Sequence, residues 1–323
     1  MTGDGPTWVV GAGGLLGGAV QRRLVADGRP ALTSVVPWED TAGAVDSLRS
    51  GLAAVTALAD GGPWSIVWCA GSGVTSTTTA TLDAELDLLR TFVDTALAHA
   101  AQELPRATVF LASSAGGIYA GAANPPFTER TTPAPLAAYG AAKLRAEAEM
   151  SRLAADGGAR LLVGRISNLY GPGQNLAKAQ GLISQMCRAH MLAQPIGVYV
   201  SMDTIRDYLF VDDAAGLVVD GLAMLRTRAL PGEVVVKILA AQRSVSIAAV
   251  LGEFRTIFKR RLLVRLAASQ HARQQARDLR FRSTVWPELD RRSLMTLAAG
   301  IQATSADIAA RVRQGEMSEL GRG

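Results

Sequence analysis

Tyr139 and Lys143 stand four residues apart in the run YGAAK (139–143). On a helix, positions i and i+4 share a face, so this spacing sets a phenol beside an ammonium. The positive charge favours the phenolate, which makes the phenol a usable acid and base for a carbinol oxygen. A second hydroxyl source lies upstream. The apolar run VFLA (109–112) leads directly into Ser113-Ser114, 25 residues before Tyr139 at Ser114. A buried strand ending there delivers hydroxyls to the carboxyl edge of a parallel sheet, where such folds bind ligands. Ser114 is the preferred donor to the reacting oxygen and Ser113 the alternate.

A third constellation sits near the N-terminus. The apolar run at 7–10 passes into GAGGLLG (11–17), with glycines at 11, 14 and 17. Gly11 suits a tight turn, Gly14 a close backbone approach to a pyrophosphate, and Gly17 tight packing of the following helix. The helix N-terminus then offers free N–H groups to phosphate oxygens. The strand before and the helix after make this a dinucleotide site rather than a turn alone. The ribose-reading acid has no clear occupant. Glu39 and Asp40 follow the second strand at a distance, and both also suit the start of a helix at Thr41. With no arginine beside them, NAD is preferred and NADP is not excluded.

The elements that must position these groups follow a β-α alternation. Strands are expected over 7–11, 31–36, 65–70, 107–113 and 159–166. Helices are expected over 15–26, 41–59, 82–100 and 137–155. This is the pattern of a parallel, doubly wound Rossmann-type sheet. After Gly171 helices dominate, over 180–192, 211–226, 246–257, 272–280 and 294–310. The expected division is therefore a nucleotide-binding domain over 1–170 and a mainly helical substrate lobe over 171–323, with some later segments returning to the first domain. The last residues, 316–323, read as disordered.

The six segments GAGGLLG (11–17), WCAG (68–71), SSAGGIYAG (113–121), YGAAK (139–143), RISNLYGPGQ (165–174) and RDYLFVDD (206–213) together resemble the extended short-chain dehydrogenase/reductase superfamily. Within it they resemble the NAD-dependent epimerase/dehydratase family. The likeness runs over roughly 7–213, more faintly to 304. It implies that Gly11, Gly14, Leu15, Leu16, Gly17, Ala70, Gly71 and Ile166 hold the cofactor. It implies Tyr139 as acid and base, Lys143 as ligand of the nicotinamide ribose, and Ser114 as an aid to proton transfer. Asn168 and Arg206 would meet a substrate diphosphate, with Tyr208 nearby. A guanidinium suits phosphate oxygens. Without the likeness, Arg206-Asp207 reads as a local ion pair and Asn168 as a loop-capping amide.

The chain also departs from the family. The stretch 38–69 is short, so the usual third strand with its adenine-contacting Asp looks missing or reduced. Glu85 stands where the family carries an Asn, and Gln180-Gly181-Leu182 lacks the family's Asn for the nucleotide. Family dehydratases carry an Asp-Glu pair after the serine; here the place reads Ala115-Gly116-Gly117. Family decarboxylases carry a Glu there, also absent. What remains is a nucleotide-sugar epimerase working through a keto-sugar. An NADPH-dependent keto-sugar reductase is the alternative, a steroid- or flavanone-type reductase a weaker one, and a silent NAD(P)-binding scaffold a reading of another class.

Composition narrows the partners. Two cysteines and three histidines across 323 residues give neither a disulfide framework nor a metal ligand set. No basic segment precedes a long apolar run, so a soluble cytoplasmic protein away from membranes is expected. The net charge is +5 and the pI about 9.5. The excess is concentrated over 255–282, which suits an anionic substrate such as a nucleoside diphosphate sugar. Few aromatics interleave with it and no nucleic-acid motif appears, so nucleic acid is not an expected partner. Apolar stripes on 82–100 and 137–155, beyond those facing the sheet, together with the family likeness imply a homodimer built on these two helices.

Overall fold

The computed structural model describes residues 5–71, 73–74, 77–176, 180–259, 263–266 and 276–314. Five apolar runs of the first half form strands: β1 (Thr7–Val10), β2 (Ala31–Thr33), β3 (Trp64–Trp68), β4 (Ala107–Ser114) and β5 (Arg160–Ile166). Between them run α1 (Leu15–Ala26), α2 (Thr41–Ala59), α3 (Thr79–His99), the short α4 (Ala115–Ile118) and α5 (Ala138–Ala155). The second part holds β6 (Asn168–Tyr170), α6 (Leu182–Met191), β7 (Ile196–Val198), β8 (Ile205–Arg206), β9 (Tyr208–Phe210) and α7 (Val211–Arg228). It continues with β10 (Val234–Leu239), β11 (Val245–Ser246), α8 (Ile247–Phe258), β12 (Val264–Leu266), β13 (Asp278–Leu279), α9 (Pro287–Asp290) and α10 (Leu297–Arg313).

The main sheet has six strands in the order β10-β5-β4-β3-β1-β2, all parallel. Its centre is apolar on both faces, as a sheet covered twice requires. On one face α2, α3 and α5 bury Leu48, Leu52, Leu89, Phe92 and Met150 against Trp8, Ile66, Val109 and Leu161. On the other, α1 and α7 bury Val20, Leu24, Leu217 and Leu222 against Val9, Val67, Phe110 and Leu162. Each such side chain contributes roughly 1.5–3 kcal/mol on leaving water. The order reverses beside β1, which places a crevice outside the carboxyl ends of β1, β3 and β4. β2 is the edge, so the strand the short 38–69 stretch leaves no room for has no place in the sheet.

β10 joins this sheet from far along the chain, beside β5. It has a fully buried Lys237 at its centre. That ammonium donates to Asp290 Oδ2 at 2.9 Å, Ser283 Oγ at 2.8 Å and the Val285 carbonyl at 2.7 Å. A buried charge survives only with such partners. A smaller core gathers Tyr170, Ile183, Met186, Phe210, Val250, Phe254 and Ile301 from α6, α8, α10 and the β6–β9 pair.

Two expectations change, and one of the two readings left open for Asp40 is observed. The helix expected over 272–280 is not formed in its described part: Asp278–Leu279 is strand β13, paired with β8. Its earlier residues, and the tail 316–323, lie outside the described residues. The outward faces of α3 and α5 are not apolar stripes. Ion pairs join them, Arg145–Asp83 at 2.6 Å, Arg90–Glu149 at 3.3 Å and Arg152–Asp94 at 2.8 Å, between exposed alanines such as Ala84 and Ala148. Asp40 is a helix-start acid, accepting from the Ala42 N–H at 3.1 Å. Among the described residues no helix is long and apolar enough to cross a membrane.

Candidate active site

A cavity of about 930 Å³ opens at the carboxyl edge of the main sheet. The phosphate loop forms one wall. Gly11 has φ +86°, and a Cβ there would fall 2.7 Å from the Ala70 amide, so the turn needs glycine. A Cβ on Gly17 would run into the Gly11 carbonyl; glycine lets α1 start hard against the loop. Neither residue reaches the cavity, whereas Gly13, Gly14, Leu15 and Leu16 line it. Gly13 has nothing within 4 Å of its missing Cβ. The N-cap of α1, Gly14, supplies no side-chain cap, so the first-turn amides face the cavity ready for phosphate oxygens.

The end of β3 supplies Cys69, Ala70 and Gly71 to the same wall, and Ile166 enters from β5. Burial pushes the Cys69 thiol up to about 12, against the pull of the Lys143 ammonium. Gly71, at φ +134°, leaves open a space bounded by Glu85 Oε2 at 3.5 Å and Lys143 Nζ at 3.6 Å.

Tyr139 and Lys143 lie on the first two turns of α5 and line the cavity with Ser114. The Lys143 ammonium is 5.8 Å from the centroid of the Tyr139 ring and donates to the Ala112 carbonyl at 3.2 Å. Among the described residues that is its one hydrogen bond, which leaves two of its three N–H groups for a ligand. β4 separates the two serines. The Ser113 hydroxyl donates to Glu147 Oε1 at 2.5 Å in the interior. Ser114 caps α4, its Oγ accepting from the Gly117 N–H at 3.1 Å, which leaves its own hydroxyl proton to give. Gly117 lies flat against Tyr139: a Cβ there would stand 3.0 Å from two ring carbons.

The far end of the cavity is built by two short strand pairs. β6 runs parallel to β9 with Asn168 opposite Tyr208. Alternation along the strand sends Arg206 and Tyr208 into the cavity and Asp207 away from it. Arg206 and Asp207 do not pair. Asp207 is fully buried and accepts from the Ser167 hydroxyl and the Ala241 N–H, each at 2.8 Å, and from the Arg243 N–H at 3.2 Å. Burial raises its carboxyl, and those donors offset part of the rise. Arg206 makes one hydrogen bond among the described residues, from Nη1 to the Ile205 carbonyl at 2.9 Å. Burial lowers its pKa. Burial pushes the Tyr208 phenol up to about 12, so it acts as a neutral donor. Asn168 does cap its loop, giving Nδ2 to the Asp207 carbonyl at 3.1 Å, and among the described residues its amide oxygen has no donor and is left for a ligand.

Glu147 was not singled out from the sequence, and Gly117 was read only as part of a stretch without a carboxylate pair. The four-residue step from Lys143 to Glu147 was a visible signal; the contact of Gly117 with Tyr139 had none.

Residues 7–236 match the model of a family described as the NAD dependent epimerase/dehydratase family. A dTDP-4-dehydro-6-deoxyglucose reductase of Escherichia coli is 31% identical over 105 residues, 32% of this chain and 33% of that protein. A dTDP-L-rhamnose 4-epimerase of Burkholderia thailandensis is 32% identical over 100 residues, 31% of this chain and 28% of that protein. Each of these matches thus spans about a third of the relative's length. In fold, the chain is similar to the UDP-glucose 4-epimerase of Thermus thermophilus solved with NAD. The TM-score is 0.78 and the identity 16%, over 94% of this chain and 99% of that one.

Proposed function

The chain belongs to the NAD dependent epimerase/dehydratase family, and from that premise we propose an NAD-dependent nucleotide-sugar epimerase that works through a transient keto-sugar. One observation carries the reading. A single cavity joins the phosphate loop, the group Ser114, Tyr139 and Lys143, and a far end lined by Arg206 and Asn168.

The loop fits a dinucleotide, because the Cβ position of Gly13 opens on empty space and Gly13 and Gly14 both line the cavity without a side chain. Between Thr33 and Asp40 there is no lysine or arginine to meet a 2′-phosphate, which favours NAD over NADP. NAD, when bound, accepts a hydride from the carbinol carbon and returns it. Tyr139 takes the hydroxyl proton as that carbon is oxidised and gives it back on reduction. Ser114 donates to the same oxygen and steadies the charge that develops there. Lys143, its ammonium 5.8 Å from the Tyr139 ring centroid, holds the ribose hydroxyls next to the reacting carbon. Arg206, Asn168 and Tyr208 hold the diphosphate while the keto-sugar turns over.

Ala115-Gly116-Gly117 supplies no carboxylate pair for elimination of water, which favours epimerisation over dehydration. A keto-sugar reductase is the second reading, favoured by the match to the reductase of Escherichia coli. Incubation with NAD and UDP-glucose, UDP-glucuronic acid or dTDP-L-rhamnose, followed by proton NMR, distinguishes them. An epimer without net cofactor reduction supports the proposal. NADPH oxidation by a 4-keto-6-deoxy sugar, with no epimer, supports the reductase. Neither result, with cofactor bound, leaves the silent scaffold. We also propose a homodimer through the ion-paired faces of α3 and α5. Sedimentation showing only monomer at micromolar concentration overturns that part.

A further inference from the structure

Glu147 stands one turn beyond Lys143 and two beyond Tyr139 on the same face of α5, yet it does not line the cavity. It is 8% exposed, and its partner Arg165 on β5 is 7% exposed. Arg165 Nε donates to Oε1 at 3.0 Å and Nη2 to Oε2 at 2.7 Å. The Ser113 hydroxyl donates to Oε1 as well, at 2.5 Å. Arg165 extends its remaining terminal nitrogen to the Tyr119 hydroxyl at 2.6 Å. Ser113 lies opposite Arg165 in the register of β4 and β5. The carboxylate therefore spans both strands where β4 delivers Ala112 to Lys143 and Ser114 to the cavity.

We propose that Glu147, held by Arg165, is a positioning residue for the reaction. It sets the separation between the Tyr139–Lys143 face of α5 and the Ala112–Ser114 edge of β4. The inference rests on the reading of the cavity as an NAD site. Tyr139 and Ser114 must meet one substrate oxygen from two different elements. Tyr139 is the second residue of α5, whose N-cap Ala137 gives no side-chain cap. Lys143 holds β4 through one bond of 3.2 Å to a carbonyl. The carboxylate two turns in makes three charge-assisted bonds of fixed direction, two of them a planar fork. Stability alone does not call for this pair, since apolar side chains of similar volume often replace buried ion pairs without loss. What an apolar pair would not reproduce is the direction and length of those bonds.

The test pairs Glu147→Leu with Arg165→Met, so that neither charge is left buried alone. NADH and ADP are titrated separately, because ADP occupies the phosphate loop but does not reach Lys143. The double variant is expected to melt near the parent and to bind ADP like it. Its NADH affinity should fall about 10-fold and kcat about 10²-fold, with KM little changed, as expected of a misplacement of about 1 Å. A folded double variant with the parent's kcat and NADH-to-ADP affinity ratio overturns the proposal. Should that variant not fold, Ser113→Ala removes only the tether to β4. A lowered kcat with a shifted NADH-to-ADP ratio then supports the proposal, and no change in either overturns it. If the parent turns over none of the nucleotide sugars, the epimerase reading fails, while the NADH-to-ADP ratio still decides this one.

Discussion

The Cβ position of Gly117 lies 3.0 Å from two carbons of the Tyr139 ring. A methyl group there presses directly on the reactive phenol, while Gly116 next to it has only the Leu279 side chain, at 3.6 Å. Gly117→Ala should therefore lower kcat by about 10²-fold through misplacement of the phenol, with little change in melting temperature. Gly116→Ala should cost much less. Equal effects of the two substitutions would show that the contact with Tyr139 does not matter. With Ala115-Gly116-Gly117 supplying no carboxylate pair after Ser114, no 4-keto-6-deoxy product is expected from any nucleotide sugar.

Tyr139→Phe keeps the ring against Gly117 and removes only the ionisable oxygen. NAD should bind as in the parent, and turnover should fall by roughly 10²–10⁴-fold, the usual reach of a positioned acid and base. Lys143→Ala should do similar damage and weaken the cofactor too. Cofactor titration beside steady-state rates checks both. A Phe variant that turns over like the parent rejects the acid–base role.

Among the described residues Arg206 has no carboxylate hydrogen-bonded to it that its loss would orphan, so Arg206→Met should fold normally. Loss of a charge-assisted contact to a diphosphate should raise KM roughly 10- to 100-fold and leave kcat near the parent's. Competition by free UDP should weaken in parallel. An unchanged KM would move the diphosphate elsewhere.

Glu129 should make part of the stability acid-labile. Burial alone would raise its carboxyl, but the Ser283 hydroxyl and the Ile238 and Thr284 N–H groups hold it below the ordinary 4.5. A lowered folded pKa means that its contribution is complete above the unfolded value. It is lost as pH falls through the lowered one. The melting-temperature gap between the parent and Glu129→Gln should be widest near neutrality and shrink below 4.5. A gap that grows on acidification contradicts this.

Much of the first half was legible because its signals are local. Apolar runs and glycine spacing place β1, α1 and the phosphate loop, and α2 has the expected bounds. α3 begins at Thr79 rather than Leu82 because the Thr78 hydroxyl caps it, accepting from the Thr81 N–H. β2 stops at Thr33, and Val35 beyond it is 96% exposed. β10 went unread because Lys237 interrupts its apolar run, and the partners that neutralise the lysine lie 46 to 53 residues away. The segment 272–280 reads as a helix in the sequence. Its Asp278–Leu279 strand exists only through pairing with β8. Ser113 and Ser114 differ only in which side of β4 they face, and Glu147 settles that from another helix.

The late arrival of β10 and α7 bears on how the chain matures during synthesis. When Lys143 has left the ribosome, the strand that covers β5 and the helix that covers α1 are still about 70 to 90 residues away. Until then β5 presents an unpaired edge, the kind of surface that invites pairing with another chain. A fragment ending near Tyr170 would carry every reactive side chain of the first half and still expose that edge. Nascent chains stalled there are candidates for chaperone capture, and a truncated nucleotide-binding half is an aggregation-prone product rather than a minimal enzyme.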